Sequence, residues 1–351
     1  MPQRVNVLEP LPTTGASIAS RAETALSWPG TKSEVVLSVK SASLLPSASA
    51  TTQSAIERGM ILMVAGAFIA PGIHAIAKSL GDTLSAGQIA WTRFFLQLVF
   101  LLPFVWINHG GRIPSPSLTH GIRGLLLAAA ALLFFWALRY MPLANSAAIF
   151  FVEPLLLTVI SALFLQEPIG WRRVTAVAIG FLGALIVIRP SFEAVGLPAF
   201  LPLLAALCFA IYLAITRHSA TAETALATQF WVCVFASVAL SLAIAMGSQA
   251  SSRVFGAAWP TIWEWSLLGS LTVIALISHR LAIDAFRLAP ASILAPFQYV
   301  EIFGSIVLGA ICFGDLPDML ASLGIAIIIG SGLYVFRRER VLARQSQYRQ
   351  S

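Results

Sequence analysis

The sequence predicts an all-α integral membrane protein of ten transmembrane helices, arranged as two inverted five-helix repeats. Three observations carry that prediction. Hydrophobic residues make up 58% of the 351-residue chain and charged ones only 11%, with a mean hydropathy of +0.85, more apolar side chain than a soluble core can hide. Those residues fall in runs near the ~20 that a helix needs to cross ~30 Å of hydrocarbon. Finally, the stretch 137–168, ALRYMPLANSAAIFFVEPLLLTVISALFLQEP, returns at 285–316 as AFRLAPASILAPFQYVEIFGSIVLGAICFGDL.

Aligned without gaps, the copies share Ala137/Ala285, Arg139/Arg287, Pro142/Pro290, Ala147/Ala295, Val152/Val300, Glu153/Glu301 and Ala162/Ala310. Each closes on an acid, Glu167 or Asp315. The common order is an Arg, a Pro shortly after it, a long apolar run holding one carboxylate, and then the acid. The copies are spans 3–4 and 8–9, five helices apart, and an odd number of crossings reverses the chain's direction. Inverted repeats of this kind are a common architecture of secondary transporters, with the substrate site near the midplane.

Residues 1–56 are rich in Ser, Ala and Thr with scattered Pro, and read as a disordered cytoplasmic tail. No apolar core with a small-residue cleavage site precedes the first span, so the segment does not read as a secretory signal. The expected spans are 58–79, 85–107, 121–140, 143–165, 172–189, 196–216, 224–247, 263–286, 289–313 and 318–336. They form a first repeat at 57–190 and a second at 195–338, followed by a cytoplasmic C-terminal tail at 339–351. Loops are short and carry turn formers such as Gly81, Gly110, Gly111, Pro142, Pro168, Pro190, Pro290 and Pro317. Barrel strands would alternate in polarity, whereas these runs are continuously apolar.

Orientation follows from Lys and Arg. A cytoplasmic N-terminus places Arg58, Arg112, Arg123, Arg172, Arg173, Arg217, Arg280, Arg287 and the C-terminal arginines inside. Only Lys78, Arg139, Arg189 and Arg253 then lie outside, so both termini are expected in the cytoplasm. This spread also accounts for the net charge of +7 without a nucleic-acid partner, because no basic patch with interleaved aromatics forms. Cys208, Cys233 and Cys312 stand alone in apolar runs and read as packing residues, with no metal site. The phosphate-binding pattern GxxxxGK[ST] is absent, and no cofactor is implied.

Candidate site residues are the charges that the bilayer makes costly. Glu153 and Glu301 lie about ten residues into spans 4 and 9. An ionised acid at mid-bilayer costs about 2.5–3.5 kcal/mol on insertion scales, so each must face protein or water. They suit substrate hydrogen bonding or proton coupling, or else pair with a buried cation. Pro154 frees a backbone carbonyl at that depth. In span 8, HRLAID holds His279, Arg280 and Asp284; Arg280 and Asp284 are four apart and can pair on one helix face, with Glu301 as the other partner open to Arg280. Arg93 in span 2 can snorkel or meet ligand. His74 and Lys78 share a face at the end of span 1 and can line an entrance or mark the interface. Trp136, Tyr140, Tyr212, Trp231 and Tyr299 are aromatics suited to stacking on a flat ligand or to the interface belt, and Gln298 lies beside Tyr299. The small-residue stripes Ala176-Gly180-Ala184 and Ala326-Gly330 suit close helix packing or a homodimer.

RGMILMVAGAFIAPGIHAIAK in span 1, ALRYMPLANSAAI leading to LFLQEPIGWRRVTAVAIGFLGALIVIRP, and QYVEIFGSIVLGAICFGDLPDMLASLGIAIIIGSGLYVFRRE together resemble the EamA branch of the drug/metabolite transporter superfamily, over about 57–340. The second-half string is also similar to bacterial members described as riboflavin importers. One departure is Glu153-Pro154, where many relatives have only an apolar residue before the Pro. The resemblance implies a multi-pass protein of the bacterial cell inner membrane that is not an enzyme. It implies alternating-access transport of a small polar metabolite, through a cavity lined by spans 1, 3, 4, 6, 8 and 9. Riboflavin uptake is the first substrate reading; export of amino acids or drugs and S-adenosylmethionine transport are the alternatives. A remote alternative is a membrane-embedded enzyme, because HRLAID fits the HxxxxD pattern of glycerolipid acyltransferases, though no FPEG block accompanies it.

Overall fold

The structure, a computed structural model, describes residues 48–113, 115–165, 171–218, 225–247, 252–289 and 291–350. The chain divides into two units, residues 1–53 and 54–351. Of the first, residues 48–53 are described, as the opening turns of the helix Ala48–Ile69, so helix begins earlier than the expected end of the tail. Residues 1–47 and Glu167 lie outside the described residues.

Among the described residues of the second unit every regular element is a helix. Nine are long and apolar enough to cross a membrane: span 1 (Ser54–Leu80), span 2 (Ala86–Asn108), span 3 (Leu118–Ala137), span 4 (Leu143–Ile160), span 5 (Val174–Val195), span 6 (Leu197–Thr216), span 7 (Leu226–Gly247), span 8 (Ile262–Leu288) and span 9 (Pro296–Phe313). A shorter apolar helix, Met319–Val335, is span 10. Its helix runs on to Gln350, since the tail consists largely of good helix formers such as Arg, Gln, Leu and Ala.

Several helix starts are fixed by side-chain caps. Ser117 and His120 close a capping box at span 3, Thr261 and Glu264 do the same at span 8, and the Ser85 hydroxyl accepts from Gln88 N–H at 3.2 Å. Span 9 ends on Gly314, whose φ of 67° lets Asp315 N–H return to the Gly309 carbonyl at 3.0 Å.

The packing partners reveal the duplication. Span 5 crosses span 10, and span 2 crosses span 7. Span 3 packs on 6 as span 8 packs on 1, span 3 on 7 as 8 on 2, and span 4 on 6 as 9 on 1. Exchanging the first five spans with the last five maps these contacts onto one another. Small residues bring spans 5 and 10 close: a Cβ on Gly324 would stand 2.7 Å from the Gly183 carbonyl, and one on Gly180 would stand 2.5 Å from Ser331 Oγ. The Ala176-Gly180-Ala184 stripe is therefore spent on internal packing, whereas Ala326 and Gly330 face outward.

Two apolar clusters result. Ile73, Leu80, Phe94, Phe134 and Leu271 belong to the first, and Val152, Leu155, Val187, Ile302 and Ile328 to the second. His74 adjoins one cluster and Glu301 the other.

Candidate functional site

Spans 4 and 9 are each broken, and at equivalent positions of the repeat. Span 4 is the helix Leu143–Phe150, a turn at 151–152, and the helix Glu153–Leu165. Span 9 is Ala291–Gln298, a turn at Tyr299, and Val300–Phe313. Span 1 breaks as well, with Pro71 opening its second helix. Each repeat carboxylate thus stands in the first turn of a half-helix, where unsatisfied N–H groups and the positive end of the helix dipole favour an anion.

Glu301 faces span 1. Its Oε1 is 3.7 Å from His74 Nδ1, just beyond hydrogen-bond range, and its backbone carbonyl accepts from Ser305 Oγ at 2.9 Å. The close approach depends on Gly304, where a Cβ would lie 2.7 Å from Pro71 Cγ. The His74 ring leans on Phe134, with centroids 4.6 Å apart. Arg93 is partly buried among Phe94 and Phe135, within electrostatic range of Glu301, His74 and His279. One turn beyond His74, Lys78 donates to Asp315 and to the Met141 carbonyl and lies 4.8 Å from the Phe313 ring. Span 1 thereby meets the end of span 9 in two successive rungs, His74–Glu301 and Lys78–Asp315.

Glu153 has a different setting. It is buried and lies within electrostatic range of Tyr299, which is itself buried. Tyr299 packs on its own repeat equivalent, Phe151, at 5.5 Å. Its hydroxyl lies over Gly332 of span 10, where a Cβ would come within 1.7 Å of it.

Sequence reasoning joined some of these residues and separated others correctly. Arg280 pairs with Asp284 at 2.8 Å, the same-face pairing expected, and Arg287 adds a second cation at 3.7 Å. Arg280 is 69% exposed, and its partner is Asp284 rather than Glu301. His279 is exposed, Gln298 partly buried, and Trp136 donates to Tyr140 Oη at 3.4 Å. Two features were not foreseen. Lys78 and Asp315 are 237 residues apart, so only the shared face of His74 and Lys78 hinted at their pairing. Arg123, placed by the sequence only among the cytoplasmic-side arginines, is 2% exposed.

The arrangement is that of a multi-pass membrane transporter: broken spans from two inverted repeats hold charged side chains inside an apolar bundle. Residues 57–189, the first five spans, match the model of the EamA-like transporter family. Among curated proteins, the S-adenosylmethionine uptake transporter of Rickettsia bellii is 28% identical, over 76% of this chain and 88% of its own length. The riboflavin transporter of Brucella anthropi is 27% identical over 73% of this chain and 89% of its own. The pseudopaline exporter CntI of Pseudomonas aeruginosa is 26% identical over 81% and 98%. A protein of known crystal structure shares the fold at a TM-score of 0.53 and 19% identity, covering 82% of this chain and 98% of that one.

Proposed function

We propose that this transporter is a secondary carrier working by alternating access in the cell inner membrane, moving a small polar metabolite that carries a flat heteroaromatic ring. The repeated breaks in spans 4 and 9 carry the reading, because they set Glu153 and Glu301 on half-helix ends within the bundle, where substrates and coupling ions bind in inverted-repeat carriers. Glu301, His74 and Arg93 form the polar centre that exchanges proton or substrate, and Glu153 with Tyr299 forms the second. With both termini cytoplasmic, as the arginine distribution favours, the Lys78–Asp315 pair closes the outer side.

Riboflavin is the first substrate to test, since Phe134, Phe150 and Phe209, in successive contact at 5.2 and 5.5 Å, offer rings on which a flat ligand can stack. S-adenosylmethionine, also a ring with a polar chain, is the second reading, favoured by the charges at the site and by relatives of that name. The acyltransferase alternative loses its acid, because Asp284 is held by Arg280 and Arg287. Uptake of each labelled compound, in cells that neither make nor import it, tests the proposal. Accumulation above the empty control supports import of that compound. No accumulation of either, from protein present in the membrane, sinks the import reading and moves export forward.

A further inference from the structure

Arg123 opens span 3 and lies against spans 6 and 7. It does not snorkel: at 2% exposed it is sealed inside protein. The seal is tight because the next residue, Gly124, touches span 7, where a Cβ would stand 2.6 Å from Phe235 Cβ and 3.0 Å from the Val232 carbonyl. A guanidinium stays charged in any protein environment. A buried charge is ordinarily matched by a partner of opposite sign, and its absence is costly. Among the described residues no carboxylate pairs with Arg123, and its Nε has no hydrogen-bond partner. Tyr212, a phenol, lies within its electrostatic range.

Tyr212 also ends a row of ring contacts. His74 contacts Phe134, then come Phe150 and Phe209, and Phe209 stacks on Tyr212 at 5.6 Å. Glu301 and Arg123, a cation with no carboxylate partner among the described residues, therefore stand at opposite ends of one aromatic row.

Resting on the transport reading above, we propose that Arg123 recognises the carboxylate of an amino-acid-type metabolite, at the end of the substrate route opposite Glu301. One guanidinium with one phenol nearby matches a single negative charge, whereas a phosphate dianion calls for two cations. This favours S-adenosylmethionine, which bears a carboxylate, over riboflavin, which bears none.

The test uses the purified full-length protein with labelled S-adenosylmethionine and its decarboxylated form, which differ only in that carboxylate. The wild type is expected to bind the carboxylated form about tenfold tighter, the worth of one charge-assisted contact. Arg123→Gln is expected to bind both forms alike, and Arg123→Lys to keep part of the preference. Retained binding of the decarboxylated form shows that a variant is folded. If Arg123→Gln does not fold, Tyr212→Phe replaces it, with a preference reduced a few-fold. A wild type with no preference, or a variant that keeps it in full, overturns the assignment. Riboflavin uptake persisting in that case would leave the transport reading standing, so the two fail separately.

Discussion

Glu153 and Glu301 occupy the same place in the two repeats, yet they meet different neighbours. Both follow a break in their span, and both stand at the head of the second half-helix. Glu153 is buried and lies within electrostatic range of Tyr299. Glu301 reaches His74 across the seam between the clusters, with Arg93 in range. Duplication copied the backbone device, and the side chains around it then diverged. His74 and Arg93 beside Glu301 are the reason to expect the larger transport effect on that side of the repeat.

The largest effect expected is from Glu301→Gln, which keeps shape and removes charge. Loss of one charged interaction at the centre should lower uptake on the order of tenfold to a hundredfold, with folded protein retained in the membrane. Next come Lys78→Ala and Asp315→Asn, each lowering uptake by roughly tenfold or less, because each strands its partner. The charge swap Lys78→Asp with Asp315→Lys should recover part of that loss, and no recovery would mean that the two residues act apart. Glu153→Gln should cost only a few-fold, read by the same uptake assay. An effect as large as that of Glu301→Gln would erase the distinction between the repeats. The smallest transport effect is expected from Gly332→Ala, which pushes on the Tyr299 hydroxyl. It should cost about 1–3 kcal/mol of stability, seen as a lower Tm, while leaving the Glu301 side intact. Gly304→Ala, pressing on Pro71, should instead disturb uptake, since it separates spans 1 and 9 beside Glu301.

The sequence made much of the scaffold legible. Apolar runs of membrane length located the spans to within a few residues, because in hydrocarbon a helix must be apolar and of fixed length. The repeat of Arg, Pro and carboxylate disclosed the inverted halves, and i, i+4 spacing foretold the Arg280–Asp284 pair. Pairings across the bundle were not legible. Nothing local distinguishes Asp315 as the partner of Lys78, since the contact depends on Gly304 and Pro71 letting spans 1 and 9 approach. The burial of Arg123 was not legible for a similar reason: an Arg at a span end ordinarily reaches the interface, and here the neighbouring Gly124 packs closely on span 7. The Ala326-Gly330 stripe resembled the one in span 5, yet only the latter faces a neighbour in the chain.

The most direct test is uptake of labelled S-adenosylmethionine and riboflavin into liposomes holding the wild type or Glu301→Gln, with and without an imposed proton gradient. The account predicts that the wild type accumulates at least one compound above protein-free liposomes, and that the gradient drives this. Glu301→Gln should lose the gradient's effect. A Glu301→Gln protein that accumulates substrate as the wild type does, with the same response to the gradient, would contradict the role given to Glu301.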